Sequence, residues 1–165
     1  KPAAADASVE DAVQPVRRSD HAIIVGFGRV GRTIAEGMTL SGERVVIIEE
    51  SDARLVEARA AGFEAISGNA AGEDALKLAN APGARTLFIA IPNSFDAGAI
   101  IEKARALNPL LQIIVRAHSD TEDEHLRNLG ASAVVLGGRE IARGMLERAA
   151  DLSTEIDSTL SMPAS

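Results

Sequence analysis

The sequence predicts an α/β protein built on a doubly wound, six-stranded parallel sheet with helices on both faces. Three observations carry that expectation. Short apolar, β-branched runs alternate with helical segments over short connections from residue 22 to about residue 150, the rhythm of a parallel sheet covered on both sides. The run at residues 22–25 is followed by Gly26, Gly28 and Gly31 at the spacing G-x-G-x-x-G, and then by a helix. Glu49 stands at the carboxyl end of the next apolar run, residues 45–48, close to the ~20-residue separation that a dinucleotide-binding fingerprint places between glycines and acid.

Each element has a local reason. Residues 22–25 form the first strand, and the helix after the glycines sets Val30, Ile34 and Met38 on one face and ends near Ser41-Gly42. Residues 45–48 form the second strand. Ser51 is placed to cap a helix over residues 52–61, which Gly62 stops. Residues 64–67 are the third strand, 72–80 a short helix, and Pro82-Gly83 a turn. Residues 86–91 are the fourth strand, followed by the turn Pro92-Asn93-Ser94 and a helix over 95–107 that Asn108-Pro109 ends. Residues 112–116 are the fifth strand, 120–129 a polar helix closed by Gly130, and 133–136 the sixth strand. A last helix runs from about Gly138 to about Ala150. This Rossmann-like arrangement predicts the strand order 3-2-1-4-5-6. Residues 1–19, rich in Ala, Asp and Pro, read as a linker or disordered arm, and 151–165 as a helix fraying into a polar tail.

In such a sheet a ligand lies across the carboxyl ends of the strands. Gly26 permits the tight turn, Gly28 lets backbone N–H groups approach a phosphate, and Gly31 lets helix and strand pack closely. The helix N-terminus attracts the anion. Glu49 can accept hydrogen bonds from both ribose hydroxyls, and Glu50 adds a charge that disfavours a 2′-phosphate. The alternative for both is a solvated strand end. Ser51 completes that loop. Gly68, Asn69 and Ala70 flank the adenine position, Asn69 being either an adenine partner or a turn residue. Ile91 and Pro92 border the second half of a dinucleotide. Arg29, within the glycine turn, either reaches phosphate oxygens or faces solvent. Arg116 is within reach of a phosphate. Arg116 and His118 have no orienting carboxylate at a recognisable spacing, so no catalytic residue is expected. His21 reads as a polar residue at a strand entrance, and Glu140 as an acid suited to its helix dipole.

Composition narrows the function. A chain of 165 residues holds one domain that buries roughly two-thirds of its unfolded surface. With 17 basic and 24 acidic residues the net charge is −7, which argues against nucleic acid or anionic lipid as a partner. The absence of cysteine excludes disulfides, thiolate zinc sites and thiol redox sensing. His21, His118 and His125 make no metal-ligand pattern. No apolar run approaches the ~20 residues of a membrane span, and no signal peptide is visible. The start at Lys1 reads as a piece of a longer intracellular protein.

Residues 20 to about 150 resemble the RCK domain, also called the TrkA-N domain, a nucleotide-binding module of potassium channels and transporters. The likeness is to the version at the C-terminus of Kef-type and YbaL-type monovalent cation:proton antiporters. It rests on Asp20 to Gly31, Ile48-Glu-Glu-Ser51, Ser67-Gly-Asn-Ala70, Ala90-Ile-Pro-Asn93, Val115-Arg-Ala-His118 and Gly138-Arg-Glu-Ile-Ala142. The resemblance implies a domain, not an enzyme, that binds NAD(H) or AMP, forms a homodimer and biases the gate of an ion pathway. By position, Gly26, Phe27, Gly28, Arg29, Val30 and Gly31 match the family's phosphate turn, Glu49 its ribose acid, and Asn69-Ala70 its adenine-side pair. The family's common acid is Asp, and here it is Glu. A further C-terminal lobe carried by many relatives has no room after Ala150.

The resemblance further implies that residues 1–19 tether the domain to a transmembrane antiporter at the cytoplasmic face of a bacterial inner membrane. The competing reading is the cofactor-binding half of an NAD-dependent oxidoreductase. A third is a free-standing subunit that docks on a separate transporter.

Overall fold

The computed structural model describes residues 15–72 and 74–163. Six parallel strands, β1 (Ala22–Val25), β2 (Val45–Glu49), β3 (Glu64–Ser67), β4 (Thr86–Ile89), β5 (Gln112–Ala117) and β6 (Ala133–Leu136), lie in the order β3-β2-β1-β4-β5-β6. The helices are α1 (Arg29–Leu40), α2 (Asp52–Ala60), α3 (Ala75–Leu78), α4 (Ser94–Leu107), α5 (Asp120–Leu129) and α6 (Gly137–Leu160), with one 3-10 turn at Ala81–Gly83. Order and element types agree with expectation.

Alternation within the central strands sends side chains to opposite faces. Ile24 and Ile47 join Phe27, Ala35 and Ala58 under α1 and α2. Ile23, Val25, Leu87, Ile89, Ile113 and Val115 build the larger core under α3, α4 and α5. All four residues of β1 and all five of β2 are buried, as strands covered on both faces must be.

Register places the site. Val25 pairs with Ile48 on one side and Ile89 on the other, Ile89 pairs with Val115, and Glu49 with Ser67. The residues that follow Val25, Ile48, Ile89 and Val115, namely Gly26, Glu49, Ala90 and Arg116, therefore emerge side by side along one rim of the sheet.

Four details differ from the sequence reading. Residues 15–19, assigned there to a linker, pack on the domain: Val16 is buried, its N–H donates to Leu78 O at 2.8 Å, and Arg18 pairs with Glu64 at 3.4 Å. An apolar Val16 has a place in the core, so it takes it; residues 1–14 lie outside the described residues. His21 is fully buried, its Nε2–H donating to Ala79 O at 2.8 Å. β4 ends at Ile89 rather than residue 91, because Pro92 has no N–H to offer a ladder. α6 runs unbroken to Leu160 instead of fraying at Ala150, its apolar period continuing through Leu152, Ile156 and Leu160.

Two contacts hold the framework. A Cβ on Gly31 would lie 1.8 Å from Gly26 O, so α1 approaches β1 as only glycine permits. Arg105 of α4 donates from Nε to Gly130 O (2.8 Å), from Nη1 to Pro109 O (3.1 Å) and Leu111 O (2.5 Å), and from Nη2 to Ser132 Oγ (3.0 Å). One guanidinium thus ties α4 to the starts of β5 and β6. Arg105→Met is expected to lower stability by about 2–3 kcal/mol, read as a lower urea midpoint with an unchanged slope. Gly31→Ala, which drives a methyl into backbone, is expected to cost upward of about 3 kcal/mol in the same measurement; a wild-type midpoint there would disprove the packing argument.

Candidate functional site

The strand–turn–helix unit at the sheet's rim builds the first wall. Gly26 turns with φ +94°, a conformation that costs glycine nothing. Gly28 stands at the N-cap of α1 and gives it no side-chain cap, whereas α2, α4 and α5 are capped by Ser51, Asn93 and Ser119. The first N–H groups of α1 are left to an outside acceptor. A Cβ on Gly28 would meet nothing closer than Arg54, at 3.9 Å. The backbone there is open to a ligand and is not held open by packing.

Glu49 builds the second wall. It is 7% exposed, and its Oε2 accepts the Phe27 N–H at 2.6 Å while Oε1 accepts the Ser51 N–H at 3.0 Å. The carboxylate thus fixes the loops after β1 and β2 to each other. Each oxygen keeps a second lone pair, so the group can still receive ribose hydroxyls.

Between these walls lies a crevice of about 400 Å³ that reaches from Gly28, Arg29 and Val30 to Arg116 across the β1–β4 switch. Gly26, Glu49, Glu50, Ile91 and Pro92 line it as well. Gly68, Asn69 and Ala70 line a recess of about 30 Å³ that shares Gly26, Glu49, Glu50 and Ile91 with the crevice. Asn69 Oδ1 accepts the Ala71 N–H at 2.8 Å, the turn alternative, which leaves its amide N–H groups for a ligand. His118, outside the lining, donates from Nε2 to Pro92 O at 3.1 Å. Since a carbonyl only accepts, Nε2 carries the proton, and His118 positions the loop after β4.

Gly68, Asn69 and Ala70 line only the recess, and three of the expected site residues line neither the crevice nor the recess. The Phe27 ring is 1% exposed, packs edge-on against Phe63 (centroids 5.7 Å apart) and lies under the Arg32 guanidinium; only its N–H faces the rim. Gly31 is buried against Gly26. Ser51 spends its hydroxyl on the Arg54 N–H and its own N–H on Glu49. Sequence reasoning missed Arg54, Ala90, Asn93 and Asp96, all of which line the crevice. Ala90, Asn93 and Asp96 lie within a few residues of Ile91 and Pro92 and follow from the same strand-end rule carried one helical turn further. Arg54 gives no such signal, because it comes from within α2.

The chemistry is that of an anion and polyol site: outward N–H groups, a half-sequestered carboxylate and three guanidinium groups (Arg29, Arg54, Arg116). Among the described residues no group of His, Asp or Glu is arranged to hold a metal. No helix there is long and apolar enough to cross a membrane.

The family model for the TrkA-N domain matches residues 22–137. YbaL of Escherichia coli (strain K12), named as a cation/proton antiporter, is 43% identical over 145 residues, covering 85% of this chain and 26% of YbaL. The crystal structure of the TrkA-N domain of that inner membrane protein aligns with a TM-score of 0.76 at 45% identity, over 80% of this chain and 98% of that one. The Kef CTD of Shewanella denitrificans, solved in an AMP-bound form, aligns with a TM-score of 0.65 at 26% identity, over 84% of this chain and 93% of its own. The chain spans between 17% and 39% of the first curated relatives it matches. With the matched segment running from β1 through β6, this chain belongs to the TrkA-N family.

Proposed function

We propose that this chain is the regulatory domain of a potassium (monovalent cation):proton antiporter, which binds NAD(H) or AMP in the crevice above β1 and β2 and controls transport through a shift between dimer arrangements. The observation that carries the proposal is the convergence of an uncapped α1 N-terminus, an open Gly28 and a fixed Glu49 on one crevice. Those are the parts an adenosine phosphate needs: N–H groups for the phosphate and a carboxylate for the ribose. The AMP-bound Kef domain and the likeness to YbaL support the same reading. Residues 1–14 would serve as the tether to a transmembrane antiporter domain, with this domain at the cytoplasmic face of a bacterial inner membrane.

Control by nucleotide requires that one dimer arrangement bind it more tightly than the other. A tenfold preference moves the balance by about 1.4 kcal/mol and no more. The surface for pairing two copies would be α6, none of whose residues is buried. Ile141, Met145, Ala149, Leu152 and Ile156 fall on one stripe at spacings of three and four, the pattern that seats one helix on another.

Gly28→Val fills ligand space without touching packed protein. It is expected to melt within a few degrees of wild type and to lose AMP and NAD binding by calorimetry; wild-type affinity would remove the turn from the site. The double substitution Met145→Glu with Leu152→Glu is expected to convert a dimer to a monomer in sedimentation while the far-ultraviolet dichroism is kept. A variant that still sediments as a dimer would move the pairing surface elsewhere.

A further inference from the structure

The first turn of α2 delivers a guanidinium to the crevice. Arg54 is the third residue of that helix, and its N–H is held by Ser51 Oγ at 3.4 Å, which fixes it one turn beyond the Ser51 cap. The side chain reaches back across the rim. Its Cζ lies 3.9 Å, and its Nη1 4.0 Å, from the point a Cβ on Gly28 would occupy. That point lies in the space the glycine turn leaves to a phosphate.

Among the described residues no carboxylate lies within 4.0 Å of Arg54, and its guanidinium makes no hydrogen bond. Its neighbours are satisfied: Arg32 pairs with Glu57 at 2.5 Å, and Arg59 donates to Ala65 O at 3.2 Å. Arg54 is also set against Glu49 and Glu50 on the ribose side, where their charge argues against anions. A planar fork of donors with no protein acceptor, facing backbone N–H groups across open space, makes the second half of an anion clamp.

We propose that Arg54 grips a phosphate of the bound nucleotide from the α2 side, opposite the α1 N-terminus. The inference rests on the nucleotide-binding reading above. A phosphate within its reach has two sources: the 5′-phosphate over Gly28, or a phosphate on the 2′ oxygen of the ribose beside Glu49. In the second case Arg54 offsets the repulsion of Glu49 and Glu50, and the site admits 2′-phosphorylated nucleotides.

The test titrates wild type, Arg54→Gln and Arg54→Lys with adenosine, AMP and adenosine 2′,5′-bisphosphate by calorimetry. The side chain is exposed, so the melting temperature without nucleotide is expected to stay put. Arg54→Gln is expected to weaken a phosphorylated ligand about tenfold or more, the scale of a hydrogen-bonded charge pair, and to leave adenosine unchanged, with Arg54→Lys in between. A loss with AMP identifies the 5′-phosphate, and a loss confined to the bisphosphate identifies the 2′ position. Equal affinities for all three ligands in Arg54→Gln and wild type overturn the proposal, as does an equal loss with adenosine. Wild type that binds none of the three overturns the nucleotide reading itself, and this proposal with it.

Discussion

The structure depends on one place where backbone meets backbone with no room for a side chain. Gly31 lies so close to Gly26 O that a Cβ would overlap it, and this contact sets the distance between α1 and β1. It fixes the direction in which the uncapped N–H groups of α1 point. One steric constraint therefore sets the packing of α1 on the sheet, and neighbouring glycines differ in what surrounds them: at Gly31 backbone fills the space, while at Gly28 only the end of the Arg54 side chain comes within 4.0 Å.

Glu49 adds the second constraint. A carboxylate that accepts two backbone N–H groups at 2.6 and 3.0 Å is a strut between loops. Its geometry is set before any ligand arrives, so little ordering remains to be done on binding. The same engagement means that removal of the carboxylate frees two N–H groups and loosens both loops, so its loss would be felt in folding as well as in binding. A ribose would share the carboxylate with the protein.

Charge around the crevice is balanced locally although the chain carries −7 overall. Arg29, Arg54 and Arg116 face Glu49, Glu50 and Asp96 across about 400 Å³. An acidic protein can thus hold three guanidinium groups at one crevice while its outer surface repels polyanions, and these groups act at contact range where salt screens them least. Beyond β6, α6 buries none of its residues and leaves its apolar stripe exposed. Site and stripe are joined through β5 and β6, the strands that Arg105 secures to α4.

Local sequence was enough to determine the strand and helix alternation, the glycine turn and the acid at the end of β2, because each depends on neighbours within one turn or one strand; the order of the sheet then followed from that alternation by the rule of doubly wound folds. The burial of β1 and β2 was equally legible, since a strand covered on both faces has to be apolar throughout. Tertiary structure alone decided the rest. Phe27 sits in the glycine turn by sequence, yet its ring turns inward because Phe63 and Arg32 offer it apolar and cationic contact. Val16 joins the core because Leu78 presents a free carbonyl to its N–H. Arg54 reaches the crevice because a cap on Ser51 and the absence of a side chain on Gly28, 26 positions away in the chain, leave it that path. Contacts between residues far apart in the chain leave no periodic trace in a sequence, and these three are of that kind.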